Sequence, residues 1–257
     1  MEHPVDIESP ANPRVKSWLA LSKRSERDRT ERFVIEGHRE ATRAGNLLTI
    51  LETVICPEYA GGSPDLPKVV TVNTRVFDKL SHRQRPDGVL VIAQQPNVAL
   101  ANFAPPDPAL ILVADGIEKP GNIGAILRSC DAMGAGFIGA SLGTDITNPN
   151  VVRSAQGSLF STPIAVTNRE AAMEWCTEHT SIIVAHTSTT AASLWDLDLT
   201  SPTSIVIGSE HEGVDATWLD VGIAAMVPMQ GAADSLNASV AAGIFTAEAT
   251  RQRRGSA

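Results

Sequence analysis

The second half of the chain alternates between short apolar runs and stretches with helical periodicity. Apolar runs of strand length cover residues 109–114, 136–140, 181–185, 204–207 and 223–227, and helical stretches between them include 123–133 and 169–176. Near-continuous apolar strands separated by helices are typical of a parallel sheet that is covered on both faces. The pattern therefore predicts an α/β fold, which closes with an alanine-rich helix over about 235–253.

The first part of the chain mixes helices with shorter strands. Asn12 is suited to cap a helix that has Pro13 at its first position and runs to about Arg24. Strands are expected at 33–35, 53–56, 69–72 and 88–93. Residues 96–108 hold four prolines and predict an extended linker. A boundary near 104 gives two domains, 1–103 and 104–257.

Composition narrows the class of protein. Hydrophobic residues make up 43% of the 257 residues, which favours a folded chain over a disordered one. No apolar run approaches the ~20 residues that span a bilayer, and the first residues lack the apolar stretch of a signal peptide, so we expect a cytoplasmic protein. The three cysteines are far apart, without CxxC spacing, and suggest neither a disulfide framework nor a zinc site.

Charge is distributed unevenly along the chain, whose net charge is −8. Residues 1–100 carry 14 Lys/Arg against 13 Asp/Glu, whereas residues 101–257 carry 7 against 16. Within 13–43 the count is 9 basic to 5 acidic, so a polyanion would prefer this part. A solvated helix face with mixed charges explains the same counts, and charge alone favours it. The candidates for RNA contact are Arg14, Lys16, Arg24, Arg29 and Arg32.

Three glycine-bearing segments lie at predicted strand ends, where open α/β sheets bind ligands. In the first, residues 115–124 form a glycine turn that leads into a helix, and Arg128 follows about one turn later. Backbone N–H groups at such a start can bind an anion, and Arg128 could direct a fixed positive charge at a phosphate. A packing turn with Arg128 in a structural ion pair is the plainer alternative, and the GxGxxG order of a dinucleotide site is missing.

The other two segments hold polar side chains beside glycines. In residues 205–214, Gly208 and Gly213 bracket Glu210 and Glu212, which suggest an acid/base pair or, with His211, a metal site. Metal is disfavoured because the chain offers no other ligand cluster. In residues 227–239, Asp234 or Ser235 could cap the final helix, but capping explains only one of the polar residues Ser235, Asn237 and Ser239.

Taken in order, these segments resemble the motifs of the SpoU, or TrmH-type, branch of the SPOUT RNA methyltransferases. The first motif, Asn-x-Gly-x-x-x-Arg, is matched by residues 122–128, and the second, Gly-x-Glu-x-x-Gly, by residues 208–213. The third, Pro-Met-x-Gly-x-x-x-Ser-Leu-Asn-x-Ser, is matched by residues 228–239. Cys130, Asp234 and Ala238 depart from the common Ala, Glu and Val, which bears on the tightness of the pocket.

The N-terminal part is similar to the substrate-binding domain that is often joined to this family. The matching features are residues 12–16, 33–37 and 88–90. This resemblance implies a small α/β domain with a ribosomal-protein-like fold that grips RNA. For the second domain, the family implies a deep C-terminal trefoil knot and a homodimer with the pocket near the subunit interface.

The resemblance also implies the reaction and its residues. The methyl donor is S-adenosylmethionine, no metal is needed, and the acceptor is a ribose 2′-hydroxyl, with ribosomal RNA as the leading target. A tRNA substrate and a non-catalytic RNA-binding relative remain the alternatives, while a nucleotide-dependent oxidoreductase is disfavoured by the missing GxGxxG. The cofactor-binding residues are expected to be Thr187, Gly208, Val227, Met229 and Leu236. The catalytic residues are expected to be Asn122, Arg128, Glu210, Ser235 and Asn237.

Overall fold

A computed structural model describes residues 5–61, 65–188, 190–210 and 212–255. By their contacts, these residues form two compact units. The first unit extends to Pro96 and also includes Asp145–Phe160, and the second comprises Asn97–Thr144 and the chain from Ser161 onward. Asp145–Phe160 thus lies within the second half of the chain but folds with the first unit.

Helices are distributed over both units. In chain order, the α-helices of the described residues are α1 (Pro13–Ala20), α2 (Arg24–Thr30), α3 (His38–Gly45), α4 (Thr74–Leu80), α5 (Pro120–Met133), α6 (Pro149–Ala155), α7 (Ser158–Ser161), α8 (Arg169–His179) and α9 (Ala238–Gly255). Among the described residues, no helix is long and apolar enough to span a membrane.

The first unit is built on a mixed sheet. Within the described residues its strands are β1 (Arg32–Glu36), β2 (Ile50–Ile55), β3 (Val69–Thr71) and β4 (Val89–Gln94), in the order β1-β4-β2-β3. β4 is antiparallel to β1 and β2, and β3 is parallel to β2. Trp18, Phe77 and Ile92 are buried in the core beside this sheet. The four strands correspond to those that the sequence predicts.

The second unit is built on a parallel sheet. Its strands within the described chain are β5 (Leu110–Asp115), β6 (Gly136–Ala140), β7 (Ile164–Thr167), β8 (Ser181–Ala185), β9 (Ala192–Ser193), β10 (Thr203–Ile207) and β11 (Ile223–Met226). Their order is β7-β6-β5-β10-β8-β11-β9, and every pairing is parallel. The predicted α/β fold with a parallel sheet is confirmed, and β7 and β9 add strands that the apolar runs did not predict.

The first half of the proline-rich segment, residues 96–108, packs against the second unit. The Val98 carbonyl accepts a hydrogen bond from the Val166 N–H at 2.8 Å, and Phe103 makes an edge contact with Trp175 at 5.3 Å between ring centroids. A short 3-10 turn, Leu100–Asn102, interrupts the expected extended backbone. By contacts, the first unit reaches Pro96 and the second begins at Asn97.

Two predicted helix boundaries are corrected. Asn12 caps α1 as expected, but the helix ends at Ala20, because the carbonyls of Leu21 and Ser22 accept hydrogen bonds from the Arg27 side chain instead of continuing the helix. The last helix begins at Ala238 rather than near Ser235. Its cap is Asn237, whose Oδ1 accepts the Ser239 N–H at 2.9 Å.

Candidate functional site

A cavity of about 620 Å³ lies beside loops that follow β8, β10 and β11 and the start of α9. Carboxyl ends of parallel strands are the usual place for ligands in such sheets. The apolar part of its lining includes Ile207, Val227, Met229, Leu236 and Phe245. Its polar part includes Lys119, Thr187, Glu210, Ser235 and Asn237.

The structure gathers most of the predicted site residues at this cavity. All five expected cofactor-binding residues line it, as do Glu210, Ser235 and Asn237 of the expected catalytic set. Asn122 contacts two of these residues from α5. Arg128 differs: it is exposed on α5 and is not among the residues that line the cavity.

Side-chain hydrogen bonds join all three glycine-bearing segments. The buried Asn122 donates from Nδ2 to Glu210 Oε1, and its Oδ1 accepts from Asn237 Nδ2 at 3.2 Å. Asn237 Oδ1 caps α9 at the same time, so its amide orientation follows from the network. A single buried amide thus holds the Glu210 loop and the start of α9 in one arrangement.

The loop that carries Glu210 is closed by its own backbone. Ser209 and Gly213 exchange N–H···O hydrogen bonds of 3.0 and 3.1 Å, and Gly213 has a left-handed φ of 73°. A Cβ atom on Gly208 would overlap the Gly213 backbone. Glycine is therefore required at position 208 and favoured at position 213 for the loop to fold back beside the cavity.

Comparison with known proteins identifies the family. A profile described as the SpoU rRNA Methylase family matches residues 109–247, more than half of the chain, and these residues include the whole polar network. The chain belongs to the SpoU rRNA methylase family. A second profile, described as an MRM3-like substrate binding domain, matches residues 12–91. The prediction of a SpoU-type methyltransferase with an N-terminal substrate-binding domain is confirmed.

Relatives match over nearly the full length. A 23S rRNA (uridine(2479)-2′-O)-methyltransferase of Streptomyces viridochromogenes is 31% identical over 94% of this chain and 91% of its own. A crystal structure of an RNA 2′-O ribose methyltransferase is 38% identical, with a TM-score of 0.84 over 96% of this chain and 99% of its own. An AdoMet-bound rRNA methyltransferase from Sinorhizobium meliloti is 30% identical, with a TM-score of 0.86 over 95% and 97%.

Next to the Glu210 loop lies an ion-pair network around the buried Asp115, which the sequence did not predict. Asp115, 1% exposed, ends β5 and accepts from Arg169 Nε at 2.8 Å and from the Asp215 N–H at 3.2 Å. Arg169 also lies 3.0 Å from the Asp215 carboxylate. The hydrogen bond to Asp115 raises the pKa of the Arg169 guanidinium despite the opposing effect of burial. We refer to these three residues as the Asp115 clamp.

The Asp115 clamp anchors the end of the Glu210 loop to the strand that leads into α5. Its signal in the sequence was a carboxylate at the end of an otherwise apolar strand run, since a charge at such a position needs a buried partner. Lys119 was missed as well: it lines the cavity, and its Nζ lies 3.7 Å from Glu210 Oε1. Its proximity to the first motif was its only signal.

Arg128 makes no hydrogen bond or ion pair within the described chain, so the alternative of a structural ion pair finds no support there. For the metal alternative, His211 lies outside the described residues. Within the part of the SpoU chain that the structure describes, no group of three or more His, Cys, Asp or Glu side chains could hold a metal ion.

The expected RNA-binding residues lie on α1, on α2 and at the start of β1. Three of the five are paired with carboxylates: Arg14 with Glu52 at 2.7 Å, Arg24 with Asp28 at 3.5 Å and Arg29 with Glu26 at 2.7 Å. Lys16 and Arg32 are exposed. The positive charge of this face is therefore largely neutralised by its own acidic neighbours.

Proposed function

We propose that this SpoU-family chain transfers the methyl group of S-adenosylmethionine to a ribose 2′-hydroxyl of ribosomal RNA. The observation that carries the proposal is the Asn122–Glu210–Asn237 network at the edge of the cavity. Support also comes from relatives that match nearly the whole of this chain and are RNA 2′-O-methyltransferases.

The cavity fits S-adenosylmethionine in size and chemistry. Small-molecule sites usually measure about 300–1,000 Å³ and combine an apolar lining with a few polar groups, as this cavity of about 620 Å³ does. We propose that Gly208, Val227 and Leu236 hold the adenosine part, with Thr187 and Met229 beside them. When bound, the co-substrate supplies a methyl group on a positively charged sulfur, and no metal is required.

The protein residues must orient a weak nucleophile and assist the loss of its proton. We propose that Asn122 fixes the positions of Glu210 and Asn237, and that Ser235 and Asn237 contact the acceptor nucleotide from the cavity edge. We propose that Arg128 acts through its guanidinium group rather than as a base, because guanidinium groups do not deprotonate in proteins. Its exposed side chain is suited to hold the neighbouring phosphate and to stabilise the emerging alkoxide.

Three broader features belong to the same proposal. We propose the C-terminal trefoil knot of the family, supported by the return of the chain from β11 to α9, which packs on α5 and on the central strands β5 and β10. We propose a homodimer, supported by large apolar side chains exposed in the second unit, of which Trp195 (51%) and Ile223 (54%) are the most exposed. We propose a cytoplasmic location, because the proposed substrate is ribosomal RNA.

The test is transfer of labelled methyl from S-adenosylmethionine to unmodified ribosomal RNA, with total tRNA as the competing substrate. We expect label on ribosomal RNA and a loss of at least tenfold in the Arg128→Ala variant, with binding of S-adenosylmethionine retained. Label on tRNA alone would support the alternative, a tRNA substrate. Failure of the protein to bind S-adenosylmethionine would refute the proposed methyltransferase activity.

A further inference from the structure

Residues 145–160 fold onto the first unit although they interrupt the second. Val151, Val152 and Ala155 of α6 are buried, and α6 packs beside β1. Arg27, 1% exposed, forms a bidentate contact with Asp145, with Nη2–Oδ2 at 2.6 Å and Nε–Oδ1 at 3.3 Å. This buried pair fixes where the segment enters the first unit.

The segment brings α6 next to α3 and to the loop before β4. The Arg153 guanidinium donates from Nη1 to the His82 carbonyl at 3.1 Å, and Arg43 donates from Nη1 to the Gln156 carbonyl at 3.2 Å. Arg39 precedes Arg43 by four residues and lies on the same side of α3. We refer to the basic side chains of α3, α6 and this loop together as the α3–α6 surface: Arg39, Arg43, Arg85 and Arg153, with His38 and His82.

Three carboxylates in this region, the buried Glu36 and Glu40 and the partly exposed Asp87, already have hydrogen-bond or ion-pair partners. Glu36 is 8% exposed and accepts from the Ser81 hydroxyl and the His82 N–H, and Glu40 is 7% exposed and pairs with Arg83 at 3.2 Å. Asp87 accepts the His38 N–H at 2.9 Å and faces Arg83 at 3.5 Å. The acidic charge is thus satisfied by backbone N–H groups and by Arg83.

The arginines of the α3–α6 surface, in contrast, form no ion pair within the described residues. Arg39, Arg85 and Arg153 are exposed. On α1 and α2, Arg14, Arg24 and Arg29 each have a carboxylate within 4 Å. An uncompensated cluster of guanidinium groups attracts a polyanion, because each phosphate that it contacts releases a counterion.

We propose that the α3–α6 surface, rather than the face formed by α1 and α2, binds the phosphate backbone of the RNA substrate. This inference rests on the proposed function for its ligand, and it adds Arg153, which lies within the SpoU methylase match, to the RNA-binding surface of the first unit. The exposed side chains of the surface are arginines and histidines rather than large aromatics, so it contacts phosphates and positions the RNA, and base recognition lies elsewhere.

The test is binding of radiolabelled, in vitro transcribed 23S rRNA to the full-length protein over a range of salt concentrations. The main variant is Arg39→Gln/Arg85→Gln, because neither side chain makes a hydrogen bond or ion pair within the described chain. The matched control is Arg75→Gln/Lys79→Gln, which removes the same charge from exposed positions of α4. A third variant, Arg14→Gln/Arg29→Gln, tests the face formed by α1 and α2.

We expect Arg39→Gln/Arg85→Gln to raise Kd about tenfold. The plot of the logarithm of the binding constant against log salt should become less steep by about 1.4, since each phosphate contact to single-stranded RNA contributes about 0.7. The control should stay within twofold of the wild type. Arg153→Gln should lower the slope by about half as much, and Arg153→Lys should restore it. A larger loss in Arg14→Gln/Arg29→Gln than in Arg39→Gln/Arg85→Gln would overturn the proposal.

Methyl transfer separates this proposal from the proposed function. If the wild type binds RNA through this surface but transfers no methyl group, the proposed function fails alone. If the wild type is active, Arg39→Gln/Arg85→Gln should raise the KM for RNA and leave kcat and the affinity for S-adenosylmethionine unchanged. A loss of kcat with an unchanged KM would contradict a role in RNA binding.

Discussion

At the scale of single residues, the site depends on Asn122. It is the buried side chain that contacts both Glu210 and Asn237, so it determines how the second and third motifs face each other. Buried amides of this kind are costly to leave unpaired, and a loss of one partner disturbs the other. Substitution of Asn122 should therefore disturb the orientation of Glu210 and Asn237 while leaving cofactor binding nearly unchanged.

Replacing Asn122 by alanine should lower kcat about 10- to 100-fold, because Glu210 and Asn237 lose the amide that orients them, at about 1–3 kcal/mol. The affinity for S-adenosylmethionine should change less than about threefold, since Asn122 does not line the cavity. Single-turnover transfer and calorimetric binding measure the two effects. Ser129→Ala, on the same helix, serves as control and should retain full activity.

The Asp115 clamp supports the same loop from its other end. Changing Asp115 to Asn keeps an acceptor for the Asp215 N–H but leaves Arg169 without its buried counter-charge. Breaking one side of a buried ion pair costs about 3–5 kcal/mol when the partner stays buried, and less here because Arg169 is 29% exposed. We expect weaker binding of S-adenosylmethionine with a smaller change in kcat.

Calorimetric titration of Asp115→Asn with S-adenosylmethionine measures the change in affinity, and steady-state kinetics measures the change in kcat. Glu170→Gln, next to Arg169 on an exposed position of α8, is the control and should bind S-adenosylmethionine like the wild type. Unchanged affinity in Asp115→Asn would mean that the Glu210 loop keeps its position without the clamp.

At the scale of elements, the sequence predicted best where local pattern and tertiary environment agree. Strands β6 and β8 have the predicted bounds, 136–140 and 181–185, because their side chains are buried on both faces and read as unbroken apolar runs. β7 was missed because its burial is partial and its run is short. α6 could not be predicted to fold with the first unit, since its contacts with β1 join residues more than 100 positions apart.

The candidate site shows the same difference between features set by local sequence and features set by long-range contacts. Its motif residues were recognisable because they are close in sequence within each loop, and nine of the ten expected cofactor and catalytic residues lie at the cavity or contact its lining. The Asp115 clamp joins three separate segments, so no local pattern indicated Arg169 or Asp215. For RNA contacts, counts of charge along the chain could not reveal which cations are neutralised by their neighbours.

The anchor of residues 145–160 should depend on pH. Burial would raise the pKa of Asp145, but hydrogen bonds from Arg27 and Thr147 outweigh it and hold the pKa below its ordinary value. A lowered folded-state pKa stabilises the fold above the unfolded value of about 3.9, and this stabilisation is lost as pH falls through the lower folded value. The contribution of Asp145 should therefore be complete at pH 7 and decline below about pH 4.

Urea unfolding followed by circular dichroism tests this expectation. At pH 7, Asp145→Asn should lower the free energy of unfolding by about 2–4 kcal/mol, because Arg27 stays buried without a counter-charge. The difference from the wild type should shrink at pH 3. Asp28→Asn, which removes an exposed pair with Arg24, should cost less than about 1 kcal/mol at either pH. A pH-independent difference would contradict the role of the Asp145 charge.

At the scale of the whole molecule, the chain combines a SpoU methylase region with a substrate-binding domain in one polypeptide. Light scattering after gel filtration should give twice the chain mass of 27.2 kDa if the proposed homodimer forms. Ile223→Glu places a charge on one of the most exposed apolar side chains of the second unit and should shift the mass toward the monomer. A monomeric wild type would contradict the dimer.

The position of the transferred methyl group tests the central claim most directly. Ribosomal RNA labelled by the enzyme from methyl-labelled S-adenosylmethionine is hydrolysed in alkali, which cleaves only at nucleotides with a free 2′-hydroxyl. The account predicts that the label remains in an alkali-resistant dinucleotide, because a 2′-O-methylated ribose cannot assist cleavage. Label released in mononucleotides would place the methyl group on a base and contradict ribose methylation.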